Sequence, residues 1–108
     1  MIDKEKFRIA FRAAQKKKGY TFNKDKPRVN SIIEGLIKNK ERYGYLSCPC
    51  RLASGDHEVD KPIICPCIYR KDDVINYGTC YCNLFVTVKN KDADVTDVKV
   101  PDKHTYNY

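Results

Sequence analysis

The first apolar stripe of the chain has the spacing of a helix. Its members recur at i, i+3, i+4 and i+7 and therefore share one helix face: Phe7, Ala10, Phe11 and Ala14. Asp3 stands where an N-cap is needed, and Gly19 follows a basic run at positions 16–18. We therefore predict an amphipathic helix that starts after Asp3 and stops by Gly19.

A second amphipathic stripe starts just after Pro27, a residue favoured in the first turn of a helix. Its apolar positions again share one face: Val29, Ile32, Ile33, Leu36 and Ile37. Gly44 is placed to end this helix. We expect the apolar faces of both helices to form the core.

From residue 48 onward the pattern becomes irregular. Ser54-Gly55-Asp56 predicts a turn, and Pro62 opposes the continuation of a helix. Residues 72–77 predict one short helical turn closed by Gly78. Residues 84–88 are apolar and β-branched, which predicts a short strand or a buried extended segment. The sequence thus predicts a mainly α fold with one domain over residues 1–90, followed by a polar C-terminal tail or surface strand at 91–108.

Length and composition restrict the class of protein. The 108 residues suffice for one domain with a modest core. No run approaches the length of a transmembrane helix, and the charged N-terminus has no apolar stretch after it, so we expect neither a membrane span nor a secretory signal. The predicted location is the cytoplasm, where structural disulfides are rare.

The chain is basic, with 21 Lys and Arg against 14 Asp and Glu and a net charge of +7. A surface of this charge attracts nucleic acid or an acidic protein partner. Charge by itself does not choose between these partners.

Six cysteines carry the candidate chemistry. They form three Cys-X-Cys pairs that all lie between residues 48 and 82: Cys48 and Cys50, Cys65 and Cys67, Cys80 and Cys82. Four thiolates can hold a zinc ion or an iron–sulfur cluster, and the two that remain suffice for one reversible disulfide. The count therefore suggests a metal centre coupled to a dithiol.

The spacing within each pair favours a cluster over a single ion. In an extended backbone, residues i and i+2 point the same way, with Cα atoms about 6.5–7 Å apart. Two such sulfurs reach different atoms of a cluster more easily than one small ion; alternatively, one sulfur binds and its neighbour stays free. Pro49 and Pro66 favour extended conformations for the cysteines before them. Zinc is the main competing interpretation.

In their order along the chain, the three pairs resemble the catalytic subunit of ferredoxin:thioredoxin reductase, a family that carries Cys-Pro-Cys, Cys-Pro-Cys and Cys-His-Cys, although the loops between the pairs differ in length. The resemblance covers residues 7 to 90. It includes Ile33-Glu34-Gly35-Leu36, Gly44, Arg51 and Leu84-Phe85. It implies a small, irregular, mainly helical fold wrapped around a [4Fe–4S] cluster.

The resemblance also implies a role for each cysteine. Four would be cluster ligands: Cys48, Cys65, Cys67 and Cys80. Cys50 and Cys82 would form the redox-active disulfide, with Cys50 attacking the disulfide of a thioredoxin-like protein. Ferredoxin would be the electron donor, and a small variable subunit a further partner.

Three other residues are auxiliary candidates. Tyr81 stands where the family has histidine, and since tyrosine normally stays protonated at neutral pH, it is a poor replacement for a proton shuttle. His57, between the first two pairs, is a candidate substitute, although its polar neighbours also suit an ordinary surface loop. Arg51 could lower the thiol pKa of Cys50 or steer a partner.

Two other function classes stay open on the residues alone. One is a structural zinc or nucleic-acid-binding module, in which tyrosines stack on bases: Tyr20, Tyr43, Tyr45 and Tyr69. This class leaves the strict pair spacing and the two surplus thiols unexplained. The other is an iron–sulfur electron carrier without disulfide chemistry.

Overall fold

Two long helices frame the N-terminal half of the protein, in a computed structural model that describes residues 2–106. Helix α1 spans Lys4–Lys16 and helix α2 spans Lys26–Tyr43. The Asp3 side chain accepts a hydrogen bond from the Lys6 amide at 3.1 Å, and Gly44 closes α2 at φ 87°. Both predicted helix boundaries at Asp3 and Gly44 are confirmed. Met1 and the last two residues of the predicted tail, 107–108, lie outside the described residues.

A two-stranded antiparallel sheet packs beside these helices. Strand β1, Tyr20–Phe22, pairs with β2, Phe85–Thr87, so that Tyr20 faces Thr87 and Phe22 faces Phe85. The strand predicted within residues 84–88 is therefore confirmed. Strand β1 was not predicted, because three residues are too few to show a periodicity of their own.

The core lies between α2 and the sheet, and it includes cysteines. Ile33, Leu36 and Phe85 are at most 1% exposed, and they belong to the same buried cluster as Cys48, Cys80 and Cys82. The predicted apolar face of α2 is buried throughout. Packing of this face thereby fixes where the cysteine-bearing segments lie.

The middle of the chain contains two short helices, α3 (His57–Asp60) and α4 (Arg70–Tyr77). Gly55, at φ 88°, makes the turn predicted before α3, and a 3₁₀ turn at Lys61–Ile63 contains Pro62. Helix α4 starts two residues earlier than the predicted turn at 72–77, and Gly78 ends it as predicted. No helix within residues 2–106 combines the length and apolar character that crossing a membrane requires.

The C-terminal segment packs against the rest of the protein. After a 3₁₀ turn at Val88–Asn90, residues 91–106 of the described chain form neither helix nor strand. Val95 and Val100 are nevertheless buried, and Lys103 Nζ lies 3.0 Å from Asp73 Oδ1. The surface strand considered for this segment is therefore absent from residues 91–106, and the domain limit at residue 90 stays a prediction.

A buried carboxylate organises the turn before α3. Asp60 is fully buried and accepts hydrogen bonds from the Tyr45 hydroxyl, from the Ser54 amide at 2.9 Å and hydroxyl at 2.8 Å, and from the Gly55 amide at 3.1 Å. Burial alone would raise the pKa of Asp60, but these hydrogen bonds outweigh burial and lower it below its usual value. The contacts therefore stabilise the ionised form.

We expect Asp60→Asn to lower the free energy of unfolding at pH 7 by about 1–3 kcal/mol, because an amide cannot accept all of these hydrogen bonds. A depressed pKa in the folded state contributes stability above the unfolded pKa, near 3.9, and this contribution is lost as pH falls through the folded value. Urea unfolding at pH 7 and pH 3 should therefore show a smaller difference between wild type and variant at pH 3. Exposed Asp72→Asn is the control, and equal differences at both pH values would contradict the assignment.

Candidate metal and redox centre

Five of the six cysteines line one cleft of the described chain. They come from all three pairs: Cys48, Cys65, Cys67, Cys80 and Cys82. Apolar side chains of Ile32, Leu84 and Phe85 form part of the same wall. Cys50 is exposed beside this cleft. The structure thus collects the sulfurs in a largely apolar site.

Backbone hydrogen bonds hold the first two pairs side by side. The Cys48 amide donates to the Ile63 carbonyl at 2.9 Å, and the Cys65 amide donates to the Leu46 carbonyl at 2.8 Å. Ser47 and Ile64 form an antiparallel bridge between them. These contacts place Cys48 and Cys65 on adjacent segments of the chain, and the extended conformation that the following prolines favour stays a prediction.

A tight turn positions the third pair. The Asn83 amide donates to the Cys80 carbonyl at 2.9 Å, and Asn83 adopts a positive φ of 63°. The Phe85 amide donates to Cys80 Sγ at 3.4 Å. Cys80 and Cys82 are therefore held in the turn just before β2, whose first two residues are buried in the core.

Helix α2 approaches the first pair very closely at a glycine. A Cβ atom added at Gly35 would lie 2.6 Å from the Cβ atom of Pro49. Side-chain Cβ atoms do not tolerate such a distance, so the proline between Cys48 and Cys50 can pack on α2 only if position 35 is glycine.

We expect Gly35→Ala to destabilise the protein by about 1–3 kcal/mol, because the overpacking of Pro49 outweighs the helix-propensity gain of up to about 1 kcal/mol. Displacement of Pro49 should also change the alkylation rate of Cys50. Urea unfolding and thiol-labelling kinetics measure both effects. Ser31→Ala, at an exposed position of α2, is the matched control. A more stable Gly35→Ala variant would show that Pro49 moves aside without cost.

Three sulfurs lie within reach of one another. Cys48 Sγ and Cys82 Sγ are 2.9 Å apart, and the sulfurs of Cys48, Cys50 and Cys82 all lie within 4.8 Å of each other. No disulfide joins any of the six cysteines within the described residues. Cys48 and Cys82 are buried, so Cys50 is the member of this trio that solvent or a partner can reach.

The pKa values of the three thiols are shifted in opposite directions. Hydrogen bonding with Cys48 and then Cys82 lowers the pKa of Cys50 to about 4, and the positive charge of Arg28 acts in the same direction. The hydrogen bond to Cys50 raises the pKa of Cys48 to about 11, and hydrogen bonds to Cys48 and Cys50 raise the pKa of Cys82. Of the three, Cys50 is the one whose pKa lies below its usual value, and a lowered pKa favours the thiolate, which is the nucleophilic form of cysteine.

The deeper sulfurs have a different environment. Burial raises the pKa of Cys80 to about 11, and burial with the negative charge of Cys80 raises the pKa of Cys65 well above its usual value. A metal ion or cluster supplies the positive charge that stabilises such thiolates. Soft sulfur donors with apolar walls fit an iron–sulfur cluster or a thiolate-bound zinc.

Arg51 links the cleft to the C-terminal segment. Its Nη1 donates to Cys67 Sγ at 3.4 Å, and its Nε donates to Asp102 Oδ1 at 3.0 Å. The guanidinium lies over the rings of Tyr81 and Tyr69, at 4.5 Å and 5.0 Å from their centroids. This buried cation therefore orients Cys67 rather than facing solvent.

The auxiliary candidates lie in different places. Tyr81 lines the cysteine cleft, and burial followed by the charge of Asp102 raises its pKa, so it stays a hydrogen-bond donor at neutral pH. His57 lies in α3, with its ring 5.2 Å from that of Tyr45, and within the described chain it does not line the cleft.

Sequence reasoning missed Asp102 and Asn83. The Asp102 contact spans 51 positions, and no local pattern signals such a pair. Asn83 binds Arg28 through its Oδ1 and accepts from the Asn23 side chain through its carbonyl. Its place directly after the third pair was the available signal, since asparagine favours positive φ in turns.

Comparisons with known proteins identify the family of this chain. Residues 3–105 match the family model described as ferredoxin thioredoxin reductase catalytic beta chain. The ferredoxin-thioredoxin reductase catalytic chain of Pyropia yezoensis is 35% identical over 81 residues, or 68% of this chain and 60% of the relative. The catalytic chain of Porphyra purpurea is 32% identical over 97 residues, or 83% and 73%. The chloroplastic catalytic chain of Arabidopsis thaliana is 30% identical over 98 residues, or 81% and 61%. This chain thus spans between 60% and 73% of the length of these relatives.

Proposed function

The chain belongs to the ferredoxin thioredoxin reductase catalytic beta chain family, and we propose on that premise that it is a disulfide reductase. Its electrons come singly from ferredoxin, and its substrate is the disulfide of a thioredoxin-like protein. The observation that carries the proposal is the placement of five cysteine sulfurs around one cleft, with exposed Cys50 within 4.8 Å of Cys48 and Cys82.

The cysteines divide into two sets in this proposal. Four hold a [4Fe–4S] cluster around which the fold is wrapped: Cys48, Cys65, Cys67 and Cys80. Cys50 and Cys82 are the redox-active pair. When bound, the cluster supplies single electrons to a reaction that consumes two. The short distance between Cys48 and Cys82, 2.9 Å, favours a redox cysteine directly beside a ligand.

The redox pair performs the exchange chemistry. The Cys50 thiolate attacks one sulfur of the substrate disulfide, forms a mixed disulfide, and expels the other substrate sulfur, which takes up a proton. The Cys82 thiol loses its proton and attacks Cys50 Sγ, which releases the second substrate thiol. Cys50 and Cys82 are left as a disulfide, and two electrons and one proton return Cys50 to the thiolate and Cys82 to the thiol.

Tyr81 acts as a hydrogen-bond donor beside this pair. Its raised pKa keeps the hydroxyl protonated, so the proton that Cys82 gives up passes to another acceptor. This separates the chain from relatives with histidine at the position, in which an imidazole can exchange protons near neutral pH.

Charge and thiol chemistry support the proposed partners and location. The net charge of +7 suits an acidic ferredoxin, and a small variable subunit is a further proposed partner. We propose the cytoplasm as the location, because structural disulfides are rare there and thiols are kept reduced.

The test is an anaerobic visible and EPR spectrum of purified protein, with iron, sulfide and free-thiol counts. We expect the iron and sulfide content of one [4Fe–4S] cluster and one disulfide in the oxidised protein. We also expect reduction of a thioredoxin disulfide when reduced ferredoxin is supplied. Zinc in place of iron would overturn the proposal. An iron–sulfur cluster in oxidised protein that contains no disulfide would instead support an electron carrier without disulfide chemistry.

A further inference from the structure

A second cleft lies on a different part of the protein from the cysteines. It is formed by α1, β1, the first turns of α2 and the segment after Val88–Asn90, and it encloses about 240 Å³. Among residues 2–106, the two clefts share no lining residue. The disulfide chemistry described above therefore gives this cleft no role.

The lining of this cleft is strongly basic. Five cationic side chains face one carboxylate, that of Asp92. The cations come from separate elements: Arg8 and Arg12 on α1, Lys24 and Lys26 at the start of α2, and Lys91. Arg8 also donates from Nη2 to Glu5 Oε2 at 2.8 Å. Cations gathered from separated parts of the chain around one concavity repel each other, a cost that a bound anion offsets.

Two buried polar atoms in the lining residues have no hydrogen-bond partner within the described chain. These are the Thr21 hydroxyl oxygen and Arg8 Nε. Thr21 is only 3% exposed, and its side chain stands among the basic residues. Buried donors without an acceptor are costly and rare in folded proteins. Arg8 Nε can only donate and the Thr21 hydroxyl is also able to donate, so a ligand rich in acceptor oxygens satisfies both groups.

We propose that this cleft binds a small phosphate-bearing anion. The charge, the two unpaired donors and the concavity call for the same ligand chemistry, a compact group rich in acceptor oxygens. A volume of 240 Å³ equals that of roughly eight waters at about 30 Å³ each. It therefore suits a phosphate or diphosphate compound better than a large nucleotide.

The Asn23 side chain connects the cleft to the turn that carries the third cysteine pair. Asn23 lines the cleft, and its Nδ2 donates at 3.0 Å to the carbonyl of Asn83, the residue that follows Cys82. A ligand that orders Asn23 would thus act on the turn that carries the third cysteine pair. Binding in this cleft is nevertheless independent of the proposed reductase activity.

The experiment is calorimetric titration of the full-length purified protein with sodium pyrophosphate, and separately with inorganic phosphate, at constant ionic strength in chloride. We expect saturable one-to-one binding. Arg12→Gln, at an exposed position, should weaken it roughly tenfold by removing a charged donor. Thr21→Val should weaken binding several-fold while keeping shape, and Thr21→Ser should retain it. Lys71→Gln, on α4, makes the same charge change away from the cleft and should have no effect.

Three outcomes would overturn the proposal. One is a weak, non-saturating heat of anion binding that Lys71→Gln and Arg12→Gln reduce equally. This result would indicate general attraction of anions to a basic protein. Another is binding that Thr21→Val leaves unchanged in a variant whose thermal melt matches wild type. The third is an absence of small-anion binding while an acidic ferredoxin protects the cleft from lysine modification, which would make it a protein-docking surface.

Discussion

Cys50→Ser is expected to lower the rate at which the protein reduces a thioredoxin-like disulfide by on the order of 10³-fold or more, because it removes the proposed nucleophile. Cys50 is the exposed sulfur of the trio and the one with a lowered pKa, about 4. A serine hydroxyl stays protonated at neutral pH and does not form a mixed disulfide. Turnover with reduced ferredoxin and mass spectrometry of the substrate adduct measure the two effects.

Cys82→Ser is the informative control for this experiment. It keeps the attacking thiolate and removes the sulfur that resolves the adduct, so the mixed disulfide with substrate should accumulate on Cys50. Cys50→Ser should form no adduct but keep its iron. Adduct formation by Cys50→Ser would show that the nucleophile is another cysteine, and Cys82, within 4.8 Å, would be the first to test.

The structure refines the interpretation of the cysteines more than it changes it. The spacing of the cysteines predicted that six thiols contribute to one centre, but it did not predict which sulfur atoms are in contact. The fold separates exposed Cys50 from the five sulfurs that line the cleft, and it places Cys48 beside Cys82, 34 residues away along the chain. Such a contact depends on how β2 and the loop after α2 pack on the core. No feature of the sequence near either residue encodes it.

The difference between local and long-range signals also explains which helices and strands were predicted. The helices α1 and α2 carry local signals: Asp3 caps the start of α1, Pro27 lies in the first turn of α2, and Gly44 ends α2. Strand β1 has three residues, and its partner lies more than 60 positions away, so its pairing is a tertiary effect. The contact between Arg51 and Asp102 is equally non-local, which is why a segment predicted as a polar tail packs beside the site.

Loss of a buried ligand is expected to have the second large effect. Cys80→Ser should lower affinity for the iron–sulfur cluster by at least about 100-fold, since even outer-shell partners of metal ligands account for about 10–100-fold. Cys80 is 6% exposed, and its sulfur accepts a hydrogen bond from the Phe85 amide. Serine is similar in shape and keeps an acceptor for that amide, so the fold should persist while the soft donor is lost. Iron content and visible absorbance of anaerobically prepared protein measure the change.

Serine variants of the four proposed ligands should all lose iron in this assay, whereas variants of the proposed redox pair should keep it. Because binding of a metal centre contributes to folding stability, loss of iron in Cys80→Ser should be accompanied by a lower melting temperature. Cys48→Ser, Cys65→Ser and Cys67→Ser should show the same loss, whereas Cys50→Ser keeps wild-type absorbance. Wild-type iron content in all four ligand variants would contradict the assignment. If Cys50→Ser lost its iron and Cys48→Ser kept it, Cys50 would be the ligand and Cys48 the redox cysteine. The short distance between the sulfurs of Cys48 and Cys82 makes this the main alternative assignment.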